Sequence, residues 1–413
     1  MISRPLYENK LIGAQNPEVV KVLTGVRRCG KSSLLRLLGD HLINSGVPKN
    51  NIISINFEYP TLNDLQTAAN FYEYVKQRLP QSGPAFLFVD EVQELEAWAK
   101  VINGIRAEFE VDIFVTGSNS RMFAGEHMTY LSGRYIPIEV YPLSLAEYSV
   151  FKGNVSPVTS GKESITASTT SEHEGLYTEY VRLGAFPAVA LARDTDFAQS
   201  ILDGLYDSVY SRDILLRGKI KNEAAFLRVA SFVFENIGSQ ISAHAVANTL
   251  KSTGHKISSE TVDNYLGLMG NAFLIYPCAC YDIRGKERLR TNGKYYVVDP
   301  GLRNRVLGFR SSNHGHVAEN MVFLELKRRG FEVNVGRIAN TELDFIAQSH
   351  EQRFYIQVSE TVLDPAVLER ETAPFRKLND GYPRVLITKD RADYSVEGVR
   401  HLNFYDFLFG CGL

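Results

Sequence analysis

The sequence has few cysteines, no long apolar run and almost no net charge. Its 413 residues include four cysteines, and the formal net charge at pH 7 is −2. So few cysteines in a chain of this length exclude a disulfide-based scaffold. Cys278 and Cys280 are separated by one residue, and no His or Cys stands at metal-site spacing from them. We therefore expect reduced thiols and a cytoplasmic location.

The lack of long apolar runs predicts that no segment of the sequence spans a membrane. A bilayer-spanning helix needs about 20 consecutive apolar residues, and no segment of the sequence approaches that length. The N-terminus also lacks the apolar core of a signal peptide, because charges occur by Arg4 and Glu8. We expect no membrane association.

The near-zero net charge excludes a molecule that is basic over its whole surface, so binding of nucleic acid would need a local patch.

A glycine-containing stretch near the N-terminus has the spacing of a phosphate-binding loop. The sequence from 22 to 33 reads VLTGVRRCGKSS, with Gly25, Gly30, Lys31 and Ser32 at the four fixed positions of the motif. An apolar run precedes it and an amphipathic run follows it, which predicts a strand, a turn and a helix. The alternative is a strand-to-helix turn with incidental glycines, but four positions and both flanks agree with the motif.

Each residue type in this loop suits the binding of a nucleoside triphosphate. Glycines let backbone N–H groups approach the phosphates, where a side chain would block them. A helix beginning at Lys31 adds a partial positive charge at its N-terminus. Lys31 would reach the terminal phosphates, and the Ser32 hydroxyl would bind Mg²⁺. The predicted nucleotide contacts are Gly25, Val26, Arg27, Arg28, Cys29, Gly30, Lys31, Ser32 and Ser33.

A second apolar stretch ends in two acids. Residues 84–91 read PAFLFVDE, the pattern of a buried central strand with a metal site at its carboxyl end. Asp90 would hold Mg²⁺ together with Ser32, directly or through water. Glu91 would polarise the attacking water. The alternative is a surface acidic pair after a core strand.

Two further polar residues are candidates for the catalytic site. The stretch VDIFVTG at 111–117 predicts another buried strand, and Asn119 after it would touch the terminal phosphate or orient water. Its alternative role is to cap the next helix.

Arg134 follows a glycine just before a further strand. Its guanidinium would stabilise charge on the transferring phosphate, in its own chain or in a neighbour; the alternative is a surface arginine or a structural ion pair.

With these motifs, residues 1–150 resemble the AAA+ superfamily of P-loop ATPases. They are most similar to a prokaryotic group with a leader carrying Arg4, Leu6 and Tyr7 and a GxRRxGKS loop. The resemblance implies an α/β ATPase core that uses ATP and Mg²⁺. The catalytic residues would be Lys31, Glu91, Asn119 and Arg134. No sensor arginine matches in a later helical lid, which leaves the readout of the nucleotide state open.

The middle of the chain divides into three predicted segments. Residues 151–175 are rich in Ser and Thr and predict a flexible insertion. Residues 176–220 predict a helical lid. Residues 221–300 have the order of a winged helix, in which a helix from Ser258 would enter a groove of double-stranded DNA. Four cationic residues of the predicted turn would bind the phosphate backbone of the DNA: Arg284, Lys286, Arg288 and Arg290. The alternative is a winged helix that contacts only proteins.

The last segment, residues 301–413, has the helix and strand order of a restriction-endonuclease-like domain. Glu319 and Asp344 stand where that site holds Mg²⁺, but Gln357 and Ser359 replace the expected acid and lysine. We favour a nuclease-like fold kept for binding or structure over a working nuclease. Residues 176–413 also resemble the C-terminal region attached to this ATPase group, through ENMVFLEL, ELDF, IQVS and LERETAPF.

Together these features predict an α/β protein with a P-loop core, a helical lid, a winged helix and a small nuclease-like domain. The first hypothesis is an ATPase whose nucleotide cycle drives or gates the C-terminal module, with DNA and a second copy of the chain as candidate partners. The second is a slow regulatory switch that acts through protein partners. The third is a metal-dependent nuclease.

Overall fold

The computed structural model describes residues 1–120, 126–154, 167–216, 218, 220–285, 287–308, 314–339 and 341–413. Side chains at 126–128, 167–171, 288–292 and 314 are outside this description. The chain forms two compact units. The first comprises Met1–Val140 and Asn271–Phe273, and the second comprises Tyr141–Gly270 and Leu274–Leu413. Within the described ranges, no helix is long and apolar enough to cross a membrane.

The first unit is built on a five-stranded parallel sheet. Its strands lie in the order β2-β3-β4-β1-β5. The three central strands are buried along their whole length, because helices cover both faces of a parallel sheet. The strands are β1 Val20–Thr24, β2 Ile52–Asn56, β3 Ala85–Asp90, β4 Val111–Thr116 and β5 Tyr135–Glu139, and the helices are α1 Pro5–Gly13, α2 Lys31–Asn44, α3 Ala68–Lys76, α4 Trp98–Glu108 and α5 Glu126–Leu131.

The second unit combines helices with a seven-stranded mixed sheet in the order β12-β11-β10-β9-β8-β6-β7. Its helices are α6 Leu145–Phe151, α7 Ala167–Leu183, α8 Pro187–Ala190, α9 Thr195–Ser208, α10 Glu223–Glu235, α11 Ala243–Ser252, α12 Ser259–Asn271, α13 Pro300–Leu307, α14 His314–Arg328, α15 Pro365–Thr372 and α16 Phe404–Leu408. Its strands are β6 Ile275–Asp282, β7 Glu287–Val297, β8 Glu332–Ile338, β9 Thr341–Gln348, β10 Arg353–Val358, β11 Arg384–Thr388 and β12 Arg400–Asn403.

Part of the Ser/Thr-rich segment is helical, although its composition predicts a flexible insertion. Residues 155–166 of the predicted insertion lie outside the described residues, but α7 already begins at Ala167. Ring contacts anchor this helix, with His173 stacked on Phe409 at 3.9 Å and Tyr177 set edge-on to Phe404. These tertiary contacts override the weak helix propensity of Ser and Thr.

The predicted wing is not a free hairpin. Strand β7 begins at Glu287, so the connection after β6 is a short turn and not the longer basic loop that the sequence predicts. Strand β6 also pairs in parallel with β8, as in the register Cys280↔Val335, which places the hairpin inside the seven-stranded sheet. Arg288 and Arg290 therefore lie on β7. Arg284 is exposed in the turn. Lys286 lies outside the described residues, as do the side chains of Arg288 and Arg290.

Candidate functional site

The glycine-rich loop joins the carboxyl end of β1 to the first residue of α2. Gly25 has φ 141° and Gly30 has φ 108°, conformations that favour glycine. A Cβ at Gly25 would also overlap the carbonyl oxygen of Val140. Glycine at this position is therefore required by packing within the first unit as well as by backbone conformation.

Lys31 begins α2, and its side chain folds back over the loop. Its Nζ donates to the carbonyl oxygens of Gly25 at 2.9 Å and Val26 at 3.1 Å, and the residue is buried. Ser32 and Ser33 follow in the first helical turn and are partly exposed. The helix N-terminus, the loop N–H groups and this ammonium together make a concentrated site for an anion.

The two acids lie next to this loop in the sheet. The registers Leu23↔Thr116 and Val89↔Val115 place the ends of β1, β4 and β3 side by side. The Thr116 hydroxyl donates to Asp90 Oδ1, and Asn56 Nδ2 donates to Asp90 Oδ2 at 3.0 Å. Neighbouring strands are about 4.8 Å apart, so Asp90 is about 10 Å across the sheet from the start of the loop.

Thr116 also holds Glu91. The Glu91 N–H donates to Thr116 Oγ1 at 3.1 Å, while Glu91 itself is in the left-handed region with φ 54°. The Glu91 carboxylate is buried and accepts from Ser118 Oγ at 3.3 Å and from Gln93 Nε2. A single threonine hydroxyl thus fixes both acids at the end of β3. Gln93 Oε1 has no hydrogen-bond partner within the described part of the chain.

Sequence reasoning missed Asn56, Gln93 and Thr116. For Asn56 and Thr116 the available signal was a polar residue ending an apolar strand, at the edge where a parallel sheet places its ligands. Gln93 lies three residues beyond the end of β3 and carried no such signal. Asn119, which the sequence selected, is buried three residues beyond Thr116. The bond from Ser118 to Glu91 shows that this segment lies beside the acidic pair.

Arg4, which lies just before α1, hydrogen-bonds the backbone of the glycine-rich loop. Its Nη1 donates to the Cys29 carbonyl oxygen at 2.8 Å, and its guanidinium lies 4.5 Å from the centre of the Tyr7 ring. Arg4 and Tyr7 are both buried. In a planar trans peptide the C=O and the following N–H point in opposite directions. A bond that fixes the Cys29 carbonyl therefore also fixes the Gly30 N–H, which points to the opposite side of the loop.

We expect the Arg4→Met variant to bind ATP roughly 10-fold more weakly, because a charged hydrogen bond of this kind contributes about 1.5–3 kcal/mol. The measurement is titration with a fluorescent ATP analogue. Lys10→Met, which removes a cation from α1, the helix that follows Arg4, serves as the control and should bind like wild type. Equal affinity of wild type and Arg4→Met would show that the loop does not depend on its leader.

The chain is similar to several known proteins. Residues 17–149 match the model of an AAA domain, and residues 174–313 match a domain of unknown function. An uncharacterized protein of Haemophilus influenzae is 37% identical over 410 residues, which are 99% of this chain and 98% of that protein. An uncharacterized protein of Methanocaldococcus jannaschii is 32% identical over 367 residues, 87% of this chain and 79% of that protein.

The chain belongs to the family of these two proteins. Its AAA domain confirms the P-loop part of the resemblance drawn from the sequence. A solved Walker-type ATPase of Pyrococcus abyssi is similar at 14% identity and a TM-score of 0.46, covering 74% of this chain and 96% of that one.

In the AAA domain, Arg134 lies far from the loop of its own chain. The register Val20↔Tyr135 places Arg134 at the amino end of β5, where it is exposed. The loop begins at the opposite end of β1. Five residues of strand separate the two edges, which is about 16 Å. The sequence left open whether Arg134 acts in its own chain or in a neighbour, and this distance removes the support for the first alternative.

The second unit of this family member contains a cluster of carboxylates around a lysine. Lys294 on β7 places its Nζ 2.8 Å from Glu319 Oε1 and 2.8 Å from Glu342 Oε1, and 3.8 Å from Asp344 Oδ1. Glu319 comes from α14, and the two other acids come from one face of β9. The sequence predicted Glu319 and Asp344 as neighbours, but it gave no signal for Lys294.

The charged groups of this cluster shift one another's pKa values. Burial by itself would lower the pKa of Lys294, but the carboxylates of Glu319, Asp344 and Glu342 raise it above its usual value. Burial, together with the charge of Glu319, raises the pKa of Asp344 to about 8. Burial alone would raise the pKa of Glu319, but bonds from His316, Lys294 and Tyr296 lower it.

The residues at this cluster do not fit the Mg²⁺ site of a nuclease. Gln357 donates to Glu371 Oε2 at 2.9 Å, and Ser359 donates to the Thr361 carbonyl at 3.2 Å. Among the described residues no group of three His, Cys, Asp or Glu side chains is arranged to hold a metal ion. By contrast, Ser32 and Asp90 offer the hydroxyl and carboxylate oxygens that Mg²⁺ prefers beside a bound nucleotide.

Proposed function

We propose that the protein binds ATP with Mg²⁺ at the loop of its AAA domain and hydrolyses it. The observation that carries this proposal is the Thr116 hydroxyl, which holds Asp90 and Glu91 together at the end of β3, beside the loop that follows β1. An anion site and a paired carboxylate site at one edge of a parallel sheet are the two components that phosphoryl transfer to water requires.

In this proposal each side chain has a distinct role. Lys31 leaves the loop carbonyls to neutralise the terminal phosphates, and Glu91 accepts the proton of the attacking water. Asn119 contacts the terminal phosphate or orients that water. Ser32 and Asp90 would hold Mg²⁺, which when bound neutralises charge on the phosphate oxygens.

Arg134 acts, in our proposal, on the nucleotide of a neighbouring copy of the chain. We expect Arg134→Ala to lower turnover, and wild-type specific activity to rise with protein concentration because assembly completes the site. Mixing Arg134→Ala with Lys31→Ala should restore part of the turnover, since the second variant still supplies an arginine. Specific activity that is flat with concentration, with no gain on mixing, would contradict this role.

The nucleotide cycle would drive or gate the second unit, with duplex DNA as the candidate partner. Helices α10, α11 and α12 followed by the β6–β7 hairpin support a winged-helix element. Ser259 and Asn264 are exposed on the third helix, and Ser258 is exposed just before it. Exposed Arg284 would contribute to a phosphate contact. We also propose the division into a lid at 176–220, this element at 221–300 and a nuclease-like region at 301–413.

The deciding experiment measures phosphate release from ATP with and without duplex DNA. DNA-stimulated turnover that is reduced in Arg284→Ala, and not in the exposed control Arg193→Ala, would support coupling to DNA. The stimulation should also weaken as salt is raised. Turnover that is indifferent to DNA in all three proteins would remove DNA from the proposal and leave the ATPase site standing.

A slow regulatory switch is the second candidate function. The bonds from Gln93 and Ser118 to the Glu91 carboxylate favour it, because the base must exchange one of these partners for water before it can act. Ordinary enzymes turn over at about 1–1,000 per second. Turnover near one per minute, about 60-fold below the low end of that range, would select the switch and direct the search to protein partners.

A further inference from the structure

The carboxylate cluster of the second unit is already supplied with hydrogen-bond donors. Glu319 Oε1 accepts from Tyr296 at 2.6 Å as well as from Lys294, and Glu319 Oε2 faces His316 Nδ1 at 3.8 Å. Glu342 Oε2 accepts from Gln240 Nε2 at 2.6 Å. Every oxygen of these two side chains therefore faces a nitrogen or hydroxyl of the protein.

The third carboxylate is occupied in the same way. Asp344 Oδ2 accepts from the Val358 N–H at 2.9 Å, and Asp344 Oδ1 is the atom that faces Lys294. An ammonium carries three N–H donors, and the three acids surround this one. Only 5% of the Lys294 side chain is exposed, so the ammonium is held inside the cluster.

We propose that the Lys294 ammonium is the resident cation of this cluster, in place of a divalent metal ion. The cluster then works as an ion-pair clasp that joins β7, α14 and β9, and the nuclease-like region binds no Mg²⁺ and cleaves no phosphodiester. The positive charge of Lys294 would keep a metal ion out of the cluster. A metal ion drawing on the same oxygens would lie against a buried positive charge, and in a site of low dielectric that repulsion is strong.

Removing Lys294 leaves carboxylates close together and poorly hydrated, which is strongly destabilising. Carboxylate oxygens are also the ligands that hard divalent cations prefer. The Lys294→Met variant should therefore gain a metal site that the wild-type protein lacks.

The test uses Mn²⁺ on the nucleotide-free full chain, with the free ion followed by electron paramagnetic resonance. We expect Lys294→Met to take up one more Mn²⁺ per chain than wild type, and the double variant Lys294→Met with Asp344→Asn to lose that gain. The thermal midpoint of Lys294→Met should fall by roughly 10 °C, and Mn²⁺ should restore part of the loss. Lys251→Met, at an exposed lysine, should behave as wild type.

The wild-type protein tests the proposal even if Lys294→Met does not fold. Wild type and Asp344→Asn should take up the same amount of Mn²⁺, and wild type should leave supercoiled plasmid intact with Mg²⁺ or Mn²⁺. Uptake by wild type that Asp344→Asn abolishes, or metal-dependent nicking lost in that variant, would overturn the proposal. A folded Lys294→Met protein that gains no Mn²⁺ would overturn it as well.

Discussion

Phosphate release from ATP is expected to fall by a factor of at least about 100 in the Lys31→Ala variant, the typical cost of removing one preorganised charge-stabilising donor. The Nζ of Lys31 is held over the loop by the carbonyls of Gly25 and Val26, and in the proposed function it moves from them to the terminal phosphates. Its loss removes the buried positive charge of the loop, so that ATP affinity should fall as well. The measurements are steady-state phosphate release and equilibrium ATP binding.

The control for this variant is Lys100→Ala, which removes an exposed lysine from α4 of the same unit. It should keep the turnover and the thermal midpoint of wild type. Wild-type turnover in Lys31→Ala would mean that hydrolysis, if present, occurs away from this loop, and the proposed function would then fail. A folded Lys31→Ala protein is confirmed by its circular dichroism before the rates are compared.

Glu91→Gln should separate binding from hydrolysis. The substitution keeps the shape of the side chain and the backbone bond to Thr116, but it removes the proton acceptor. General-base catalysis is typically worth a factor of about 100 to 10,000, so we expect turnover to fall in that range while ATP still binds. The measurements are phosphate release in single-turnover conditions and ATP affinity by titration.

Its matched control is Glu96→Gln, an exposed glutamate a few residues further along the chain. This variant should be indistinguishable from wild type in both measurements. Loss of ATP binding in Glu91→Gln would show that the assignment is wrong and that this carboxylate holds the metal or the loop. Unchanged turnover would move the role of base to another residue at the same sheet edge.

Local patterns predicted the elements of the first unit. The apolar stretches at 84–91 and 111–117 placed β3 and β4 within one residue of their observed bounds. The predicted secondary structure was wrong for two segments whose structure depends on contacts with distant parts of the chain. The basic turn after β6 is largely strand because β7 pairs along β6, and α7 begins early because His173 and Tyr177 find ring partners near the C-terminus.

The sequence by itself identified the glycine-rich loop, because Gly25, Gly30, Lys31 and Ser32 lie close together in the chain at the spacing of the motif. It also placed Asp90 and Glu91 at the end of a buried strand. Only the tertiary structure decided that one Thr116 hydroxyl holds both acids, that Arg134 lies at the opposite sheet edge, and that Lys294 fills the carboxylate cluster. These facts depend on strand order and register, which are contacts between distant parts of the chain.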